Sequence, residues 1–140
     1  MFTGKKPRNV YANLTNGSVK LLLLDNIATG NYQYTDYEER VCIKENDIVM
    51  VMDGASSGRV FIDLNGFLGS TLATIKMIGD TESVYQIYYF LIDNFKNISD
   101  NNTGAAIPHA NKDYINQLDI VIPSNKITKS FYEFVRAIQS

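Results

Sequence analysis

Three polar segments punctuated by glycine hold most of the side chains that could do chemistry. They are Asp53-Gly54-Ala55-Ser56-Ser57-Gly58-Arg59, Gly69-Ser70-Thr71, and the stretch from Asn101 to Lys112. Serine, threonine, asparagine and arginine donate and accept hydrogen bonds without being strong general acids or bases. With free backbone N–H groups in glycine-rich turns, they suit positioning of phosphates and reading of base edges. The plain alternative is that all three are tight turns on a sheet, where small residues let the backbone bend.

Catalytic and metal chemistries find little support. His109 is the one histidine, so a histidine metal site or a Ser-His-Asp triad would rest on it alone. Cys42, within Val41-Cys42-Ile43, reads as a small core hydrophobe, and a single cysteine excludes an internal disulfide. Gly4-Lys5-Lys6 lacks the upstream glycine and the following Ser or Thr of a phosphate loop. None of Pro7, Pro108 and Pro123 adjoins another proline or precedes aspartate. The Pro-Pro-aromatic motif of amino-methyltransferases and the Pro-Asp metal motif of restriction nucleases are therefore missing. No cofactor and no metal are expected.

The 140 residues suffice for one domain with a real core. Composition is that of an ordinary globular chain, and a lone cysteine without a signal-peptide pattern fits the cytoplasm. The densest apolar run, Leu21 to Leu24, is strand-sized and too short to span a membrane. A net charge of −2 argues against a strongly basic nucleic-acid binder. Any phosphate-binding patch has to be local, and Lys5, Lys6 and Arg8 form one such group in a lead-in over 1–17.

The elements that must position these segments follow from periodicity. Val19 to Leu24 predicts a strand buried on both faces, followed by a turn over Asp25 to Gly30. Asn31 to Tyr37, with Tyr32, Gln33 and Tyr34, reads equally as an edge strand or as a contact loop. Asp47 to Met52 and Val60 to Ile62 are strands flanking the first polar segment, and Gly69-Ser70-Thr71 opens another. Ser83 to Asn94 predicts a mostly buried helix with Ser83 and Gln86 as a capping box. Lys96 to Ala106 is an Asn-rich loop, Tyr114 to Leu118 a helical turn, and Asp119 to Pro123 a strand. A last helix from Ser124 carries Ile127, Phe131, Phe134 and Ile138 at spacings of four, three and four, a heptad seam with nothing internal required to cover it. The order predicts an α+β fold, a single domain with a mixed, curved β-sheet, two or three helices and the start of a coiled-coil-like C-terminal helix.

Three ordered blocks carry a resemblance. Asp47-Ile48 followed by Asp53-Gly54-Ala55-Ser56-Ser57-Gly58-Arg59-Val60-Phe61 and Gly69-Ser70-Thr71-Leu72-Ala73 form the first. Thr103-Gly104-Ala105-Ala106-Ile107-Pro108-His109-Ala110-Asn111-Lys112-Asp113-Tyr114-Ile115 is the second, and Leu118-Asp119-Ile120-Val121-Ile122-Pro123 the third. Together they resemble the target recognition domain of type I restriction-modification DNA specificity subunits, and Leu22 to Gly30 resembles that family's early strand and turn. The resemblance implies a non-catalytic component that reads one half of a bipartite double-stranded DNA target. It implies modification (methyltransferase) and restriction subunits as partners, and a second recognition domain or a second copy joined through the C-terminal helix. Residues 1–123 would be the DNA-reading domain and 124–140 the start of the spacer or dimerisation helix.

Carried over by loop position, Ser56, Ser57, Gly58 and Arg59 would face the duplex, with Ser70 and Thr71 beside them. Asn102, Thr103, His109, Asn111 and Lys112 would form a second contact loop, and Lys5, Lys6 and Arg8 would anchor phosphates. Tyr32, Gln33 and Tyr34 lie in a variable segment suited to sequence choice, as does Lys96 to Asn102. Ile127, Phe131, Phe134 and Ile138 would be the interface. The chain departs from the family's pattern in having the length of one recognition domain, and in Pro123-Ser124-Asn125-Lys126-Ile127 where Pro-Leu-x-x-Gln is usual. Two other classes stay open: a truncated protein-interaction module without autonomous DNA binding, and a small phosphate-ligand enzyme with Asp53 as base.

Overall fold

A computed structural model describes residues 1–76, 81–118 and 125–139. Its fold is α+β, and the strands divide into two four-stranded sheets. β1 (Phe2–Thr3), β5 (Ile48–Val51), β6 (Val60–Phe61) and β8 (Leu72–Ile75) form one, in the order β1-β8-β5-β6. β2 (Ser18–Leu22), β3 (Tyr34–Asp36), β4 (Cys42–Ile43) and β7 (Gly66–Leu68) form the other, in the order β3-β2-β7-β4. The second sheet is mixed, because β2 and β7 run parallel while the other pairs are antiparallel.

β5 explains why two sheets and a helical layer cohere. All four of its residues are buried, and their alternation divides them between two cores. Ile48 and Met50, with Met52 beyond the strand, join Val60, Ala73, Val84, Tyr85, Leu91, Ile98 and Val135 on the helical side. Val49 and Val51, with Leu72 of β8 beside them, face Leu22, Ile43 and Leu68 of the second sheet. Each such aliphatic side chain contributes about 1.5–3 kcal/mol by leaving water. β5 is therefore the wall shared by both cores.

Several elements differ from the sequence expectation for identifiable reasons. β2 ends at Leu22, and Leu24 opens a helix, α1 (Leu24–Thr29), where a turn was expected. Gly30 in the left-handed region ends it and donates its N–H to Asn26 O at 2.8 Å, the usual use of glycine just past a helix. Tyr34 to Asp36 is an edge strand and residues 31–33 precede it as a loop, so each alternative for that segment holds in part. β7 was not foreseen. Its Gly66 sits against β2 where a Cβ would lie 2.4 Å from Lys20 O.

The expected helix is α2 (Val84–Asp93), but the capping box is not made. Ser83 gives no side-chain cap, and Gln86 Nε2 donates instead to Thr128 Oγ1 at 3.3 Å. The Asn-rich loop begins as a helix, α3 (Phe95–Asp100), because Asn94 and Asn101 bond back to carbonyls four residues earlier while Ile98 is fully buried. α4 (Lys112–Asn116) is capped by Asn111, whose side chain accepts from Tyr114 N at 3.0 Å. The strand expected over Asp119 to Pro123 lies outside the described residues.

α5 (Asn125–Gln139) has two apolar faces. Thr128 and Val135 are buried and Phe131 and Tyr132 pack on the core with them, the Tyr85 ring tilted against Tyr132 and Tyr89 meeting Phe131 edge to face. Ile127, Phe134 and Ile138 point outward, 58%, 63% and 66% exposed. Phe131 therefore leaves the expected seam, turned toward α2 by its ring contact with Tyr89. No helix among the described residues is long and apolar enough to cross a membrane.

Candidate nucleic-acid interface

The end of β5 brings the three polar segments together. Met52 donates its N–H to Thr71 O at 2.9 Å, and its carbonyl accepts from Ala110 N at 2.7 Å. One residue thus holds the Gly69–Thr71 turn on one side and the 103–112 loop on the other. Gly54 N donates to Pro108 O at 2.8 Å, and Thr103 and His109 exchange two backbone bonds at 2.8 Å each. The N-terminal strand joins the same cluster: Gly4 N and Lys5 N donate to Leu72 O and Leu68 O, and Lys112 Nζ donates to Thr3 Oγ1 at 2.9 Å.

Within the first loop the chain turns through Gly54 and Gly58, at φ 95° and 96°. Gly58 also lies against α3, where a Cβ would meet Ile98 Cγ2 at 3.0 Å. Ser57 is fully buried, and its hydroxyl donates to Gly54 O at 2.6 Å with Met52 O and Pro108 O within 3.2 Å. Gly58 N is engaged with Val51 O at 2.8 Å. The phosphate roles expected of Ser57 and the Gly58 amide do not fit these positions, since both groups are spent inside the loop. Ser56 is half-buried and Arg59 exposed, and the Arg59 guanidinium lies 5.2 Å from the centre of the Phe61 ring. Arg59 and Phe61 stand at the edge of an open 460 Å³ groove lined also by Tyr88, Leu91, Ile92 and Phe95.

Outward-facing groups surround this loop. Ser70, Thr71, Thr103, His109 and Lys112 are exposed, while Asn102 and Asn111 are half-buried, the Asn102 side-chain oxygen turned inward and that of Asn111 capping α4. Asp53 Oδ1 approaches His109 Nδ1 to 2.5 Å, with both side chains part-exposed. Lys6 and Arg8 are exposed, whereas the Lys5 ammonium pairs with Glu38 at 2.6 Å. Tyr34 opens the edge strand of the second sheet, and Tyr32 and Gln33 lie in the loop before it. Lys20 Nζ stands 4.7 Å over the Tyr32 ring, Gln33 O accepts from Leu21 N, and Tyr34 pairs through its backbone with Tyr11.

Two residues escaped the sequence reading. Asp53 figured there only as a base, and nothing local marks it as the partner of a histidine 56 positions away. Tyr11, in the lead-in, donates its hydroxyl to Asp36 at 3.0 Å, and that hydrogen bond to a carboxylate pushes its phenol pKa up. Burial likewise pushes the half-buried Cys42 thiol up, with the Lys76 charge acting weakly in the opposite direction. No cluster of three or more His, Cys, Asp or Glu side chains capable of holding a metal occurs among the described residues.

Comparison with known proteins bears on this cluster. The family model described as "Type I restriction modification DNA specificity domain" matches residues 4–140. The specificity subunit of type I restriction enzyme MjaVIII from Methanocaldococcus jannaschii is 27% identical over 124 residues, covering 86% of this chain and 29% of that protein. The crystal structure of a type I restriction-modification S subunit from M. genitalium superposes with a TM-score of 0.56 at 21% identity, over 74% of this chain and 28% of that one. The latter likeness is one of fold. The chain spans less than a third of the length of either protein.

Proposed function

Because the chain belongs to the type I restriction-modification DNA specificity domain family, we propose that it reads one half of a bipartite double-stranded DNA target and does no chemistry itself. Its site of action is then the cytoplasm, where such DNA lies. The observation that carries this reading is the convergence at the end of β5. Three segments far apart in sequence meet there through backbone bonds from Met52 and Gly54. Ser56, Arg59, Ser70, Thr71, Thr103, His109, Asn111 and Lys112 then line one composite surface of donors and acceptors. Such a surface can grip phosphates and reach base edges.

Lys6 and Arg8 extend the cationic part, with Lys5 shared between Glu38 and the duplex. Tyr34 on the second sheet, with Tyr32 and Gln33 in the loop before it, would add sequence choice from the side. In a chain of net charge −2, other phosphate contacts come from partners. Those partners are the modification and restriction subunits, and a second recognition domain or a second copy packed on Ile127, Phe134 and Ile138. Residues 1–123 are then the reader and 124–140 the start of the helical connection.

The test is selection from a randomised duplex library by the chain joined to a modification subunit. Enrichment of a single short half-site is expected. Recovery of no preferred sequence, with no binding by the chain at low salt, would overturn the reading in favour of a protein-interaction module.

A further inference from the structure

The contact between Asp53 and His109 is placed unlike a core ion pair. The side chains are 37% and 49% exposed, at the tip of the joined loops, and Asp53 Oδ1 lies 2.5 Å from Nδ1. That separation places the two side chains in direct hydrogen-bond contact. Carboxylate oxygen only accepts, so the proton between the two sits on Nδ1. The second ring nitrogen, Nε2, has no hydrogen-bond partner among the described residues.

The backbone at His109 is held from both sides. His109 exchanges two backbone bonds with Thr103, Pro108 O accepts from Gly54 N, and Ala110 N donates to Met52 O. Gly104, at φ 92°, adjoins the ring: a Cβ there would lie 2.4 Å from Ile107 O, 2.8 Å from His109 Cδ2 and 3.5 Å from Nε2, so only glycine fits beside this ring edge. The scaffold thus fixes the backbone at His109, and the contact with Asp53 orients the ring.

The charged groups on the surrounding elements are already engaged or point elsewhere. On the first loop Arg59 lies over Phe61, and on α3 Lys96 pairs with Asp100 at 3.1 Å. On α4 Lys112 reaches Thr3, and Asp113 occupies the first turn. Asp53 is the charged group in contact with the imidazole.

We propose that Asp53 is a positioning residue that holds His109 through Nδ1 so that Nε2–H is presented to a backbone phosphate of the duplex. Donating through Nδ1 to the Asp53 carboxylate and through Nε2 to a phosphate, the ring bridges the two anions. This rests on the DNA-reading proposal and adds the atom, its acceptor and the residue that aims it. It also gives an acidic chain a phosphate donor that does not depend on a further lysine or arginine.

Because the chain has one histidine, ring-¹⁵N labelling yields a single imidazole to follow. The full chain is titrated with a short mixed-sequence duplex at low salt, as wild type, His109→Gln and Asp53→Asn. In the wild-type complex both ring nitrogens should show proton-bearing shifts, with Nε2 moved by the duplex. His109→Gln should bind several-fold more weakly and lower the magnitude of the log K against log salt slope by about 0.9, the loss expected for one phosphate contact. Asp53→Asn should weaken binding and give a different Nε2 shift in the complex, which a mere loop staple would not produce. Binding with Nε2 unmoved, or with Nε2 unprotonated and accepting from a base, would overturn this inference and leave the DNA-reading proposal standing. No duplex binding at any salt, by the chain alone or joined to a modification subunit, would sink both.

Discussion

The buried hydroxyl of Ser57 lies 3.2 Å from Pro108 O, across 51 residues of sequence, while donating to Gly54 O at 2.6 Å. With Met52 O also 3.2 Å away, three carbonyls converge on one side chain that has no access to water. The two loops of the proposed DNA surface are thereby locked to each other from beneath. Ser57→Ala should cost about 0.5–1.5 kcal/mol, the net worth of one buried hydrogen bond, because Met52 O, Gly54 O and Pro108 O each keep a backbone donor. Urea unfolding would show this as a lower midpoint at unchanged slope. A midpoint equal to wild type would mean that the backbone bonds alone join the loops.

Gly54 and Gly58 share one backbone conformation but not one environment, and that separates two costs. Both have φ near 95°, yet a Cβ at Gly54 meets nothing within 4 Å, whereas one at Gly58 meets Ile98 at 3.0 Å. Gly54→Ala should cost about 1–2 kcal/mol for the left-handed backbone alone. Gly58→Ala should cost more, since Ile98 is fully buried and has little room to retreat. Equal losses in thermal unfolding would show that α3 yields freely at this contact.

How far these relations could be read in advance depended on their range. The strands around Asp53 to Arg59 were legible because alternation and glycines are local signals, and α2 and α5 because apolar spacing is. The Ile98–Gly58 and Asp53–His109 contacts join residues that nothing local pairs. α3 was hidden by asparagines that usually mark loops, here bonding back along the helix. Phe131 was assigned to the outer seam because α5 carries apolar residues on two faces, and only the position of α2 decides which face is covered. At the candidate site, sequence supplied the segments, but burial alone could reveal that Ser57 and Gly58 serve the loop itself.

Arg59 is an exposed cation at the end of the first loop, its guanidinium 5.2 Å from the centre of the Phe61 ring. Arg59→Ala should weaken duplex binding and lower the magnitude of the salt slope by about 0.9 if it meets one phosphate. A loss confined to one sequence, with the slope intact, would instead assign it to a base edge. Unchanged affinity and slope would remove Arg59 from the interface.

Cys42 offers a pH-dependent check on the second sheet. Burial raises its thiol pKa, so less thiolate is present at a given pH than on an open peptide, and thiolate is the species that alkylates. Iodoacetamide should therefore modify native Cys42 more slowly than the urea-unfolded chain at mildly alkaline pH, and the gap should narrow as pH rises through the folded value. Lys76→Ala should slow the native reaction further, since the lysine charge favours thiolate. Equal rates in native and unfolded protein would contradict the packing of β4 against β7.

The two faces of α5 make opposite predictions for substitutions only a turn apart. Val135 is 5% exposed within the helical core, so Val135→Ala should destabilise the chain by about 1–3 kcal/mol through lost burial and the cavity left behind. Ile127, Phe134 and Ile138 contribute little to that core, so replacing all three by glutamine should leave the thermal midpoint near wild type. If this face is where a second helix packs, wild type should associate with rising concentration in sedimentation velocity and the triple variant should stay monomeric. Wild type that remains monomeric at every concentration, and also alongside a modification subunit, would remove the outer face from the proposed assembly. A triple variant that unfolds early would show instead that the exposed stripe supports the domain itself.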